Sequence, residues 1–170
     1  MATQTGKKQA GRFYVENVDK GFIVPFTNFD IEEETDELVD RLKIKTGRNE
    51  QLQYGDEIVV RDNANGEEKV FGGYVTLREQ TQDLWKVEID EYVKETVDKR
   101  VKQVFTNQSP ESILDDLITE ETSLDFFAPV SSGVTLDKYI VEGPIEDAID
   151  DMIKVLDWQL RTEPDREVYF

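Results

Sequence analysis

At 170 residues the chain holds one ordinary domain or two small ones, and with a 38% hydrophobic share any two cores are thin. Its 38 acidic residues outweigh 20 basic ones, and the resulting formal charge of −18 is spread along the chain, a surface that repels phosphate and so disfavours nucleic acid and anionic membranes as partners. Cysteine and histidine are both absent, which removes disulfides, thiolate metal sites, the usual zinc ligand, the commonest general base and every Ser-His or Cys-His arrangement.

Acidity of this density has two readings: a soluble protein with strong self-repulsion, or adaptation to very high salt, where that repulsion is screened. No run approaches the ~18 apolar residues of a membrane span, and the segment from Met1 to Ala10 lacks the apolar stretch of a signal peptide. The chain is therefore expected to be made and kept in solution until it assembles.

Residues 1–11 are small, polar and slightly basic, and read as a flexible arm. From Arg12 onward Phe13, Val15 and Val18 alternate, and Phe22-Ile23-Val24 precedes Pro25, which predicts short strands separated by turns. Another strand is expected at Phe29 to Ile31, followed by a solvated acidic turn from Glu32 to Asp36. Leu38, Val39 and Leu42 share a helical face between Thr35 and Leu42, yet Arg41-Leu42-Lys43-Ile44-Lys45 alternates at period two and favours a strand there.

The plainest β segment runs from Asp56 to Asp90. Ile58 to Arg61, Val70 to Arg78 and Trp85 to Asp90 are β-branched or aromatic runs separated by polar turns, and Asn65-Gly66 offers the positive φ of a hairpin. Consecutive antiparallel strands of this kind suit a small barrel or sandwich. The double glycine Gly72-Gly73 lacks the lysine and following helix of a phosphate loop, so its expected role is steric, a bend or a close backbone approach.

Past Tyr92 the pattern turns to mixed α and β, placing a domain boundary near Val97 to Arg100. Arg100 to Phe105 reads as a strand with Val101, Val104 and Phe105 as its apolar members. Ser109-Pro110-Glu111 is a helix start, and Ile113, Leu114, Leu117 and Ile118 form the face that follows it. Lys138 to Val141 is a strand. Gly143-Pro144 then opens a second helix with the stripe Ile145, Ala148, Ile149, Met152, Ile153 and Leu156. Asp157 to Arg161 and Glu167 to Phe170 read as a closing hairpin. The fold class expected is α+β: an antiparallel β-barrel over residues 12–98, then a small domain over residues 99–170 with two helices on a short sheet.

Paired carboxylates are the catalytic option left. Asp115-Asp116, Asp147 and Asp150-Asp151 fall on the water faces of the predicted helices, where solvated surface is the ordinary role. A glycosidase pair needs two carboxyls about 5–10 Å apart in a cleft, and no spacing here fixes one. Asp62-Asn63-Ala64-Asn65-Gly66-Glu67 departs from the calcium-loop order and has no entering helix, so a hairpin turn is expected. Trp85 and Trp158 each fall in predicted strands and are expected in the core. No catalytic, cofactor or metal residue is assigned.

Taken in order, these segments resemble a known family. Gly55-Asp56-Glu57-Ile58, Val70-Phe71-Gly72-Gly73-Tyr74-Val75, Tyr92 and Asp98-Lys99-Arg100 resemble the phage tail hub (baseplate hub, late control protein D-like) family. Phe105 through Ile118 is similar to its polar-capped helix, and Gly143 through Trp158 with Pro164-Asp165 and Val168-Tyr169-Phe170 to its second helix and closing hairpin. The resemblance covers residues 13–170 and rests on the ordered series, since each motif alone is unspecific. It implies a barrel akin to tail-tube subunits and a structural adaptor without an active site or cofactor. It also implies a virion location after synthesis in the host cytoplasm.

The implied partners are further copies of itself, as a homotrimer with a hexamer as the alternative, the tail tube or distal tail protein, and tape-measure, fibre or tip proteins. Together with the acidity it points to a virus of a halophilic, archaeal host. Hubs of this family carry two barrels per chain, and Phe170 falls where the second is expected to begin. The rival readings are a carboxylate-based cell-wall hydrolase, which predicts two inward-facing acids of raised pKa, and an acidic binding module that stays monomeric.

Overall fold

The structure, a computed structural model of the chain, describes residues 12–32, 39–47, 52–128 and 131–169. The expected arm at residues 1–11 and most of the acidic turn after Glu32 lie outside them. The chain divides between Tyr92 and Val93 into two compact units.

The first unit contains β1 (Phe13–Asn17), β2 (Phe22–Val24), β3 (Asn28–Glu32), β4 (Arg41–Gly47), β5 (Glu57–Asp62), β6 (Glu68–Thr81) and β7 (Leu84–Glu91). They form one seven-stranded sheet in the order β2-β1-β5-β6-β7-β4-β3, antiparallel throughout. In β4 the alternation is plain: Leu42, Ile44 and Thr46 are buried while Arg41, Lys43 and Lys45 point away from the core. That period settles the helix-or-strand ambiguity for Leu42; residues 35–38 of the alternative helix lie outside the described residues.

The sheet curls into a half-barrel, the architecture expected from the strand pattern. Register shifts at Val60/Arg61 and Val75/Leu77 add local twist. The curl carries the ring of Phe13 in β1 to within 5.5 Å of Phe29 in β3, near the other end of the strand order. It encloses Val15, Val24, Leu42, Ile44, Ile58, Val60, Val87 and Ile89, each worth about 1.5–3 kcal/mol relative to exposure. Gly73 is the contact point of β6 with β7: a β-carbon there would overlap the Asp90 carbonyl and lie 2.8 Å from its carbon, so only glycine lets the two backbones approach. The turn after β5 differs in detail from expectation. Asp62 caps a 3-10 turn over Asn63–Asn65 by accepting from Ala64 N–H, which moves the positive φ from Asn65 to Gly66 and Glu67.

The second unit contains α1 (Lys94–Asp98), β8 (Arg100–Gln108), α2 (Pro110–Glu121), β9 (Asp125–Phe127), β10 (Leu136–Pro144), α3 (Ile145–Leu156), β11 (Arg161–Glu163) and β12 (Glu167–Tyr169). β8 and β10 pair antiparallel as a two-stranded ribbon, and β11-β12-β9 forms a second small sheet in which β9 runs parallel to β12. Ser109 caps α2 by accepting from Ser112 N–H, Pro110 occupies the first turn, and Ile113, Leu114, Leu117 and Ile118 are buried. α3 buries Ile145, Ala148, Ile149 and Met152.

Two expectations are corrected here. The strand read from Asp157 begins only at Arg161, because Asp157 takes a left-handed φ of 54° and donates its N–H to Ile153 O as the cap of α3. Trp158 donates its N–H to the same carbonyl at 3.3 Å and is half-buried outside any strand. The sequence named Val104 as an apolar member of β8 without assigning it a face, and its side chain points to solvent.

Candidate functional site

The corner at Gly55-Asp56-Glu57 gathers the polar chemistry of the first unit. Gly55 holds a φ of 78°, its N–H bonds Val75 O at 2.9 Å, and Val75 N–H returns to Asp56 O at 3.1 Å, stapling the corner to β6. The Asp56 carboxylate is buried and accepts from Lys20 Nζ at 2.7 Å, Asn17 Nδ2 at 2.8 Å and Gln53 N–H at 2.8 Å. Burial works to raise its pKa, but the Lys20, Gln53 and Asn17 donors prevail and hold it below the usual aspartate range. Beside it the Tyr92 hydroxyl donates to Glu57 Oε1 at 2.6 Å while its ring meets Tyr74 edge to face at 5.4 Å.

Other acids of this unit are tied down in the same way. Asp62 accepts from Arg12 Nε at 2.8 Å and from Ala64 N–H, donors that outweigh desolvation and lower its pKa. Asp90 meets Arg41 Nε at 2.6 Å. The hexapeptide from Asp62 is thus a capped turn. A carboxylate held ionised by its own protein's donors is a poor general acid.

In the second unit Asp115, Asp147 and Asp151 are exposed and Asp116 and Asp150 half-exposed, spread over the solvent sides of α2 and α3. Asp116 accepts from Gln108 Nε2 at 3.4 Å, Asp150 from Lys154 at 3.5 Å, and Asp151 from the Tyr139 hydroxyl at 3.1 Å. Burial first, then the Asp151 bond and charge, push the Tyr139 phenol far above its ordinary range. Among the described residues no group of three or more histidine, cysteine, aspartate or glutamate side chains is placed to hold a metal ion.

Open depressions also mark the surface of the described residues. One of about 480 Å3 is lined by Ser109, Glu111, Ser112, Asp115 and Phe126. Burial would raise the Glu111 pKa, but Ser132, through its backbone N–H first, dominates and lowers it, so this acid serves to hold the loop before β10. Another, about 210 Å3, sits at the tip of the β6–β7 hairpin beside Gln80, Asp83 and Trp85. The Arg78 guanidinium stacks 3.9 Å over the Trp85 ring, and Trp85 is a partly buried margin of the core.

Exposed apolar side chains stand out more than any cleft. On the β8–β10 ribbon Val104 and Ile140 are directly opposite each other and are 58% and 53% exposed, while Val155 on α3 is 68% exposed. Sequence reasoning missed Val104 because a strand with one packed face was read by composition and not by its alternation with the buried Val101 and Phe105.

No protein-family model matches the chain, and no curated protein sequence matches it. Solved structures do. The 43 kDa tail protein of prophage MuSo2 from Shewanella oneidensis aligns with a TM-score of 0.73 and 13% identity over 92% of this chain and 51% of its own. A tail protein from Neisseria meningitidis MC58 aligns at 0.72 and 14%, over 93% of this chain and 49% of its own. A type VI secretion component from E. coli, described as structurally similar to T4 bacteriophage tail proteins, aligns at 0.58 and 12%, covering 84% of this chain and 48% of its own. The fold is that of these tail proteins, and the chain spans about half their length.

Proposed function

We propose that this chain is a structural subunit of a phage-type tail: a hub at the distal end of the tail tube that adapts the tube to baseplate, tip and fibre components. The observation that carries this reading is the shared fold with two tail proteins, one of them from a prophage, over nine-tenths of the chain. The physical character of the molecule supports it. The strand order of the half-barrel leaves β2 and β3 at its ends, and a closed ring of subunits covers such edges without a fibre-forming end. A ring of three is the assembly proposed, each copy meeting the tube or distal tail protein on one side and tape-measure, fibre or tip proteins on the other.

This chain spans about half the length of the matched structures, and a ring of six copies is the alternative to three. The formal charge of −18 suits a virus of a halophilic host, where salt screens repulsion between subunits. The hydrolase reading asks for paired acids held protonated in a cleft, and Asp56 and Asp62 are instead held ionised by structural donors. Electron microscopy of the purified protein in molar salt is the test: rings with a central opening support the proposal, and isolated monomers at every concentration refute it.

A further inference from the structure

The β8–β10 ribbon packs one face on its own unit and shows the other to solvent. On the packed side lie Val101, Phe105 and Val141; the outward side carries Arg100, Lys102, Val104 and Thr106 from β8 and Lys138, Ile140 and Glu142 from β10. In a chain with almost two acids per base, this face holds three bases against one acid, and that acid is already paired with Lys102 at 2.6 Å. At its centre sits the registered pair of exposed branched side chains, Val104 and Ile140. The same unit also carries the complementary surface. Along α3 the exposed positions Asp147, Asp151 and Val155 fall four residues apart on one stripe, acids beside a side chain that is 68% exposed.

We propose that these two surfaces dock head to tail, the basic-apolar face of the ribbon in one copy against the acidic-apolar stripe of α3 in the next. The contact is heterologous, because the two patches differ, and repeated contacts of that kind close into a ring when the rotation permits. Its size sets its role. Two nine-residue strands cover roughly 30 Å by 10 Å, or about 300 Å2 on each partner, against about 800 Å2 per partner in a stable interface. The contact is therefore one patch of a larger subunit interface, so it rests on the ring reading above.

Sedimentation of wild type, Ile140→Glu and Val155→Glu over a concentration series tests it, with circular dichroism confirming the fold; Lys138→Glu replaces Ile140→Glu if that variant misfolds. The expected result is an oligomer in wild type and an association constant about tenfold weaker in each variant. An oligomer unchanged by Ile140→Glu overturns the docking while leaving the ring intact. Weakening by Ile140→Glu but not by Val155→Glu overturns α3 as the partner surface, and a wild type that stays monomeric overturns both docking and ring.

Discussion

Asp56→Ala is the sharpest test of what holds the half-barrel together. The substitution leaves Asn17 Nδ2 without its acceptor in a side chain that is 0% exposed, a loss of about 1–3 kcal/mol for a buried unpaired donor. Gln53 N–H lies at an exposed residue where water replaces the lost acceptor, and a water-for-protein exchange costs about 0.5–1.5 kcal/mol. Lys20 Nζ, on a side chain 32% exposed, returns to solvent, so its ion pair is discounted to about 1 kcal/mol. Together these give about 2.5–5.5 kcal/mol, and at about 4–8 °C per kcal/mol for a unit of this size the melt falls by about 10 °C or more.

The assay is urea and thermal unfolding followed by Trp85 fluorescence in a Trp158→Phe background, so that the signal comes from the first unit. The pH dependence has a fixed sign. A carboxyl whose folded pKa is lowered contributes its stability above the unfolded value of about 3.9 and loses it as pH falls through the folded value. The gap between wild type and variant is therefore full at neutral pH and narrows below about pH 4. A loss under about 1 kcal/mol at pH 7, or a gap that widens in acid, would refute the reasoning.

Gly73→Ala should destabilise the first unit, because overlap with the Asp90 carbonyl costs about 1–3 kcal/mol and exceeds the ~0.4–1 kcal/mol gained from a stiffer unfolded chain; a raised urea midpoint contradicts this. Ser109→Ala removes the cap of α2 and should lower stability by about 1 kcal/mol, read from the Trp158 signal in a Trp85→Phe background; an unchanged midpoint contradicts it. Lowering salt from about 2 M to about 0.05 M lengthens the Debye screening distance severalfold, so a protein of charge −18 adapted to brine should lose melting temperature sharply. Equal melts in both buffers point to an ordinary acidic protein.

Local pattern carried much of the architecture. β4 was legible because apolar and charged residues alternate at period two, β5 to β7 because β-branched or aromatic runs are separated by polar turns, and α2 and α3 because a proline at the start precedes an apolar stripe. The strand order β2-β1-β5-β6-β7-β4-β3 was not. It depends on pairings such as β4 with β7, some forty residues apart, which no local period encodes. β9 escaped notice for a related reason, being three residues long and paired in parallel with the distant β12. The role of Gly73 was readable as a close approach, although its contact, the Asp90 carbonyl, was not. Asp56 drew attention as part of a strand corner, but its ion pair with Lys20 arises only when the β1–β2 turn folds over that corner. The exposure of Val104 and Ile140 was not legible, because composition does not say which face of a strand is covered.

Mass measurement in molar salt, by light scattering or sedimentation across a wide concentration range, tests the central claim most directly. A closed ring subunit gives a discrete mass of three copies, or six, with no larger species growing as concentration rises. A mass of one copy, 19.7 kDa, at every concentration contradicts the account.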